Sequence, residues 1–148
     1  MRTRFARLCA GAAGLLLATA ATADNSTQIP GYIIHHNAFT TDVLAPEVAN
    51  TYNIARSSKR AMLNVSVLRD ANGMSGEAVP AKVTATATNL MGQKREVPMR
   101  EVREGKAIYY IGDFLVAHRE VLNLDLNVTP QGDTRTHSAR LTQEFFTK

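Results

Sequence analysis

The sequence predicts an all-β protein: an immunoglobulin-like antiparallel β-sandwich of about seven strands, with one short helix between the first two strands. Two observations favour this class. Several segments alternate apolar and polar residues, as Leu122, Leu124 and Leu126 do with Asn123 and Asp125, and this alternation is typical of strands with one buried and one solvated face. Turn-forming residues separate the segments at short, regular intervals, as in all-β sandwiches.

The predicted strands follow one another along most of the chain. They are Tyr32–Phe39, Ala61–Val67, Val79–Ala87, Glu96–Val102, Ala107–Leu115, Val121–Val128 and His137–Phe145. The strand that starts at Ala107 begins with a run that is apolar on both faces, so we expect it in the middle of a sheet or under a covering loop. Pro98 cannot donate to a strand ladder and is expected at a sheet edge.

Residues 45–54 depart from the alternating pattern. Pro46 suits the first helical position, where its missing N–H costs nothing, and Glu47 is favourable near the positive end of the helix dipole. Val48 and Tyr52 are four residues apart and share one helical face. The segment therefore predicts one or two helical turns, with an irregular loop capping one end of the sandwich as the alternative.

The first 23 residues have the pattern of a secretory signal peptide. Three arginines precede an apolar run rich in Ala and Leu, and a small-x-small cleavage site ends at Ala23. The run is shorter than the roughly 20 apolar residues that a membrane-spanning helix needs. We expect cleavage after Ala23, a single domain over residues 24–148, a periplasmic location and no transmembrane segment in the mature chain.

The composition of the mature chain excludes several functions. Three of the 17 basic residues and none of the 13 acidic residues lie in the predicted signal peptide, which leaves a net charge of +1. Nucleic-acid binding requires a concentrated basic face, so no nucleic-acid partner is expected. Cys9 also lies in the predicted signal peptide. The mature chain then has no disulfide, no thiolate metal site and no cysteine nucleophile.

Short motifs spread over the chain occur in a combination typical of one protein family. They are His35-x-Asn37-Ala38-Phe39, Leu44-x-Pro46-Glu47-Val48-Ala49, Tyr52-x-Ile54-x-Arg56-Ser57, Leu63-Asn64-x-Ser66-Val67-Leu68, Asn89-Leu90-x-Gly92-Gln93, Glu101-Val102-Arg103-Glu104-Gly105-x-Ala107-Ile108-Tyr109-Tyr110 and Gln143-x-Phe145. Together they resemble domain-of-unknown-function family 4426, a group of small exported proteobacterial proteins. The resemblance implies an exported β-sandwich and no established activity.

The histidines are the first candidates for metal ligands. His35 and His36 point to opposite faces of a strand, so they cannot both bind one ion in regular geometry. A site could combine one of them with His137 and a carboxylate such as Asp113, although histidines that are hydrogen-bonded or solvated are the simpler interpretation. The methionines are dispersed and form no copper-binding motif. The sequence therefore predicts no metal and no cofactor.

No catalytic motif is present. No serine lies in a Gly-x-Ser-x-Gly sequence, and the carboxylates of residues 94–106 alternate with basic residues, as on a solvated strand face. We therefore predict a non-catalytic envelope binding or protein-interaction module, whose partner is an envelope protein or a small ligand. One alternative is a small-ligand or metal-ion carrier that uses the surroundings of His35; another is a hydrolase with an unrecognised site. The predicted binding residues are His35, Asn37, Tyr52 and Arg56.

Overall fold

Ten antiparallel strands form two sheets in the computed structural model, which describes residues 25–148. The strands are β1 Ser26–Ile29, β2 Tyr32–Thr40, β3 Arg60–Ala71, β4 Met74–Ala78, β5 Ala81–Asn89, β6 Lys94–Val97, β7 Arg100–Glu104, β8 Ala107–Leu115, β9 Glu120–Pro130 and β10 His137–Phe145. The six-stranded sheet has the order β1-β2-β3-β8-β7, with β4 also paired to β3, and the four-stranded sheet has the order β10-β9-β5-β6. The predicted all-β sandwich is confirmed. The predicted signal peptide lies outside the described residues.

The predicted number of strands is wrong, because the structure has ten rather than about seven. The short strand β1 and the mostly exposed strand β4 have no apolar alternation that would predict them. The predicted strand Glu96–Val102 is two strands, β6 and β7, which belong to different sheets. Pro98 lies between them rather than at a sheet edge, since a residue without an N–H suits the interruption of a ladder.

The predicted helix is confirmed, but it follows the second strand rather than the first. A 3-10 turn, Thr41–Val43, and the six-residue helix α1, Pro46–Thr51, connect β2 to β3. Pro46 stands at the start of α1 and Glu47 in its first turn, as expected. We call residues 41–59, which join β2 to β3, the connection.

The core lies between the inward faces of the two sheets. Leu63 and Val65 of β3 and Leu124 and Leu126 of β9 are at most 1% exposed. Burial of each such side chain stabilises the fold by about 1.5–3 kcal/mol. The period-two alternation seen in the sequence thus assigns the inward face of these strands correctly.

A crossover of two residues carries the chain from the four-stranded sheet to the six-stranded sheet. Pro98 and Met99 form this crossover and pass directly over Gly112 of β8. A Cβ atom at Gly112 would lie 2.6 Å from both the Met99 sulfur and the Pro98 carbonyl oxygen. Because real Cβ atoms do not come that close to other atoms, glycine is required here for the two sheets to stay joined in this way.

The Tyr110 hydroxyl joins the two sheets through a pair of hydrogen bonds. It accepts the backbone N–H of Ala81, at the start of β5, at 2.7 Å, and it donates to the carboxylate of Glu101 in β7 at 3.0 Å. The hydrogen bond from Arg103 to Glu101, 2.6 Å long, is the main cause that lowers the pKa of Glu101. Burial raises the pKa of Tyr110, which favours the protonated phenol that can donate.

We expect Tyr110→Phe to lower the free energy of unfolding by about 1–3 kcal/mol, because the N–H of Ala81 loses its acceptor. Urea denaturation at neutral pH measures this change. Tyr109→Phe is the matched control, since Tyr109 lies on the outer face of the same strand, and its effect should stay within about 0.5 kcal/mol. Equal losses in the two variants would contradict the role of the Tyr110 hydroxyl.

Candidate functional site

The outer face of the six-stranded sheet is apolar beneath the connection. Met62 of β3 and Ile111 of β8 point away from the main core, yet they are only 7% and 6% exposed. They pack with Ala49 and Ile54 of the connection in a second apolar cluster. Strand β8 thus lies between β3 and β7 and under a covering segment, as its two-sided apolar run predicted.

A pocket of about 280 Å³ lies between the connection and this outer face. Most of its wall is apolar, and Glu104 is the one charged residue that lines it. The wall consists of Phe39, Leu44, Val48, Tyr52, Ile54, Met62, Asn64, Val102, Glu104, Tyr109 and Ile111. Ligand pockets in proteins span roughly 300–1,000 Å³ and combine apolar walls with a few polar groups. This pocket, which we call the outer-face pocket, therefore has the composition of a small ligand site.

Two hydrogen bonds to backbone carbonyls fix the connection, one from β7 and one within the connection itself. The Arg100 guanidinium of β7 donates to the carbonyl oxygen of Tyr52, at the end of α1. The Arg56 guanidinium donates to the carbonyl oxygen of Asp42 at 2.9 Å. Arg100 therefore holds the C-terminal end of α1 to β7, and Arg56 joins the two segments that flank α1.

Asn64 of β3 has an unsatisfied polar atom beside the outer-face pocket. Its Oδ1 atom is buried and has no hydrogen-bond partner among the described residues. Leaving a buried acceptor unpaired costs about 1–3 kcal/mol, and such atoms are exceptions in native proteins. Asn64 lines the outer-face pocket, so the side chain with this unpaired acceptor belongs to the pocket wall.

Two of the predicted binding residues, His35 and Asn37, share the outer face of β2. Together with Asn25, Asn64 and Ser66 they line a polar depression of about 240 Å³. The Nε2 atom of His35 lies 2.7 Å from the Ser75 hydroxyl of β4. The structure therefore brings His35 and Asn37 into one depression, adjacent to the outer-face pocket through their shared neighbour Asn64.

The other two predicted residues lie elsewhere. Tyr52 lines the outer-face pocket, whereas Arg56 lines neither pocket and bonds within the connection. The four predicted residues thus divide among three places rather than forming one site. Sequence reasoning missed the apolar floor of the pocket. The available signal was an apolar side chain at strand positions that alternation assigns to the outside, as at Phe39, Met62 and Ile111.

His35 and His36 face opposite sides of β2, as predicted. His36 is 2% exposed and its Nε2 atom lies 2.9 Å from the Thr27 hydroxyl of β1. The remaining two histidines lie far along the chain, in the 116–119 turn and in β10. Within residues 25–148, no group of three or more His, Cys, Asp or Glu side chains is arranged to hold a metal ion.

His137 is hydrogen-bonded to Asp133 at the turn between β9 and β10. The His137 Nε2 atom lies 2.8 Å from the Asp133 carboxylate, and both side chains are nearly buried. The backbone N–H of Arg135 also donates to this carboxylate, at 2.9 Å. These hydrogen bonds, the one from His137 first, hold the pKa of Asp133 well below its usual range.

The architecture defines a class: a small antiparallel β-sandwich with an apolar pocket on the outer face of one sheet. The model of the family DUF4426, described as a domain of unknown function, matches residues 26–148, so the chain belongs to this family. The resemblance carried by the sequence motifs is thereby confirmed. A comparison with curated proteins finds no match.

Neither helical segment of residues 25–148 has the length and apolar character that a bilayer crossing requires.

Three solved structures, two of them of the same protein, have folds similar to that of this chain. A DUF4426 family protein from Pseudomonas aeruginosa PAO1 is 26% identical, with a TM-score of 0.70 over 83% of this chain and 94% of that one. FetP from uropathogenic E. coli strain F11 is 9% identical, with a TM-score of 0.59 over 84% and 94%. A copper-bound variant of FetP is also 9% identical, with a TM-score of 0.59 over 83% and 95%. At this identity the two FetP structures share the fold alone.

Asp133→Asn should lower the melting temperature at pH 7 and flatten its dependence on pH. A depressed carboxyl pKa contributes stability above the ordinary value of about 4, and that contribution is lost as the pH falls toward the folded-state value. Calorimetry from pH 7 to acid should therefore show the difference between wild type and variant shrinking below about pH 4.

Glu96→Gln serves as the control for the loss of a carboxylate, because Glu96 is exposed and forms no ion pair with any of residues 25–148. Its melting temperature at pH 7 should equal that of the wild type. A difference between wild type and Asp133→Asn that stays constant down to acid pH would contradict the assignment.

Proposed function

We propose that this protein is a non-catalytic binding module of the bacterial cell envelope, and that it takes a small, mainly apolar molecule into the outer-face pocket. The observation that carries the proposal is the pocket itself, about 280 Å³ of apolar space on a side of the sheet that ordinarily faces water. The envelope location rests on the secretory pattern of residues 1–23.

The residues of the pocket wall indicate which chemical groups the ligand has. The rings and aliphatic groups favour an apolar body, while Glu104 at the wall and the unpaired Oδ1 of Asn64 favour one hydrogen-bond donor, such as a hydroxyl or an amine. Burial of roughly 150 Å² of apolar ligand surface contributes about 4 kcal/mol. Part of this offsets the entropy of association, so binding in the micromolar to millimolar range is expected.

The connection favours binding without large rearrangement. The bond from Arg100 of β7 and the internal bond from Arg56 to Asp42 fix the chain around α1 before any ligand arrives. A pocket that is already shaped loses less conformational entropy when it is filled than a pocket that must first be ordered. The outer-face pocket is therefore suited to a ligand too small to contribute much binding energy of its own.

A hydrolase has less support than a binding module. His35 and Ser75 lie within hydrogen-bond distance, as a general base and a nucleophile must. Among the described residues, however, no carboxylate bonds to the imidazole of His35 to orient it, which is the third role in such sites. The pair also lies outside the apolar pocket in which a substrate would be desolvated, beside a neighbouring polar depression.

The pocket can be tested with N-phenyl-1-naphthylamine, a neutral apolar dye whose fluorescence rises in apolar surroundings. We expect saturable binding to the wild type. Val48→Glu should weaken it about tenfold or more, or about 1.4 kcal/mol, because the substitution places a charge on the apolar wall. Glutamate is tolerated in the first turn of a helix, so the variant should fold.

Val43→Glu is the matched control, since Val43 is 68% exposed and does not line the pocket. It introduces the same charge three residues before the helix and should leave dye binding unchanged. Equal dye affinity in all three proteins would show that the dye binds elsewhere and would refute the outer-face pocket as the binding site.

A second candidate function is the carriage of copper ions. The copper-bound FetP variant shares the fold, and in this chain Met62 and Met99 line the same depression beside Asp113. Thioether sulfur favours Cu(I). The alternative site around His35 has weaker support, because the neighbours in its depression are amides and hydroxyls apart from the inward-facing His36.

If copper carriage is the function, the purified protein should retain one Cu(I) ion against a competing chelator and melt at a higher temperature when loaded. At 100 times the dissociation constant the expected stabilisation is about 2.7 kcal/mol. The double variant Met62→Leu, Met99→Leu should lose this stabilisation, and Met91→Leu, which changes an exposed methionine, should keep it. An unchanged melting temperature on addition of Cu(I) would eliminate copper carriage.

A further inference from the structure

Large apolar side chains are exposed mainly at one end of the sandwich. Seven such side chains are exposed among residues 25–148, and five of them lie at the end where the connection, the 89–93 turn, the 116–119 turn and residues 146–148 meet. These five are Val43 at 68%, Leu90 at 76%, Met91 at 80%, Leu115 at 61% and Phe146 at 60%. We call this surface the apolar end. Met74 is exposed at the opposite end, in the β3–β4 hairpin.

Contacts between the sheets place these residues at the same end. The rings of Phe114 in β8 and Phe145 in β10 meet edge to face, with centroids 5.9 Å apart. Leu115 directly follows Phe114, and Phe146 directly follows Phe145; both are exposed. One exposed apolar side chain from each of these two chain segments therefore lies at the same surface.

The hairpin between β5 and β6 carries the two most exposed apolar side chains to this end. The Arg95 guanidinium of β6 lies 5.8 Å from the centroid of the Phe114 ring, which brings the hairpin beside the same contact. The Oδ1 atom of Asn89 accepts the N–H groups of Met91 and Gln93, at 3.1 and 3.0 Å. The turn is thus fixed by its own hydrogen bonds, and the apolar side chains at its tip contribute nothing to the core.

Unpaired cations flank the apolar tip. Lys94 follows the turn directly, and Lys59 lies in the connection, where its carbonyl oxygen accepts the N–H of Val116. Both lysines are exposed and neither forms an ion pair with a described carboxylate. The carboxylates of Glu120 and Glu144, also at this end, are instead paired with arginines. The described carboxylates near this end that have no ion-pair partner are Asp42 and Glu47 of the connection and Glu96 of β6.

We propose that the apolar end docks onto the surface of an anionic phospholipid membrane. Leu90 and Met91 enter the boundary between headgroups and acyl chains, and Lys59 and Lys94 lie against the lipid phosphates. Apolar insertion and attraction to anionic lipids act at the same place in interfacial binding. A single apolar pocket on a protein partner would accommodate the hairpin tip, but not exposed apolar side chains spread over four separate segments.

Flotation with lipid vesicles tests this docking. We expect the purified exported chain to float with vesicles of phosphatidylglycerol and phosphatidylethanolamine, and to do so less at high salt, since salt screens the attraction of lysine to phosphate. Vesicles of phosphatidylcholine alone should recover much less protein. The double variant Leu90→Ser, Met91→Ser should bind the anionic vesicles roughly tenfold less, because both inserted apolar side chains are lost.

Met74→Ser is the matched control, because Met74 is 69% exposed at the opposite end. It should bind as the wild type does, and all variants should keep the wild-type circular dichroism. Absence of binding to anionic vesicles, or equal binding by the wild type and the double variant, overturns the proposal. A dimer seen by sedimentation that the double variant abolishes, without vesicle binding, would show that the apolar end contacts a second copy of this chain instead.

Discussion

The first half of strand β3 is buried on both faces, and much of the molecule follows from this constraint. Leu63 faces the second sheet and is fully buried, while Met62, its neighbour, faces the other way and is almost as buried. In a two-layer sandwich, only a segment outside the sheets can cover the second of these faces. The connection does so, but α1 has only six residues and covers the apolar surface incompletely. The outer-face pocket is the space that is left.

Local alternation in the sequence was enough to predict the sandwich class and most of the strands. It assigned β9 correctly because each inward leucine there meets the core and each outward side chain meets water. It failed at β6 and β7, because no turn-forming Gly or Asn separates the two strands and the sequence around Pro98 does not show that the chain changes sheets. It failed at the site for a related reason: alternation treats every outward residue alike, and only the tertiary fold shows that the connection covers Met62 and not His35.

Both proposed surfaces depend on segments that the core does not require. The roof of the outer-face pocket belongs to the connection, which leaves β2 at Thr40 and enters β3 at Arg60, and these strand ends lie at the apolar end of the sandwich. A membrane docked there would lie close to the pocket. A weakly soluble molecule that leaves the bilayer would then cross only a short distance of water to reach the pocket. The exposed hairpin and the apolar pocket would thus serve the same ligand although they do not touch.

The crossover over Gly112 has a consequence for the order in which the chain can fold. Strands β5 and β6 can pair early through a tight turn, whereas the connection between β2 and β3 spans residues 41–59. The contact of β3 with β8 joins residues such as Arg60 and Asp113, 53 positions apart, and closing so long a segment costs entropy before any contact offsets it. Gly112 lets Pro98 and Met99 cross directly over β8, so the long-range pairing of β3 with β8 and the joining of the two sheets meet at one point of the fold, and we expect both to form late.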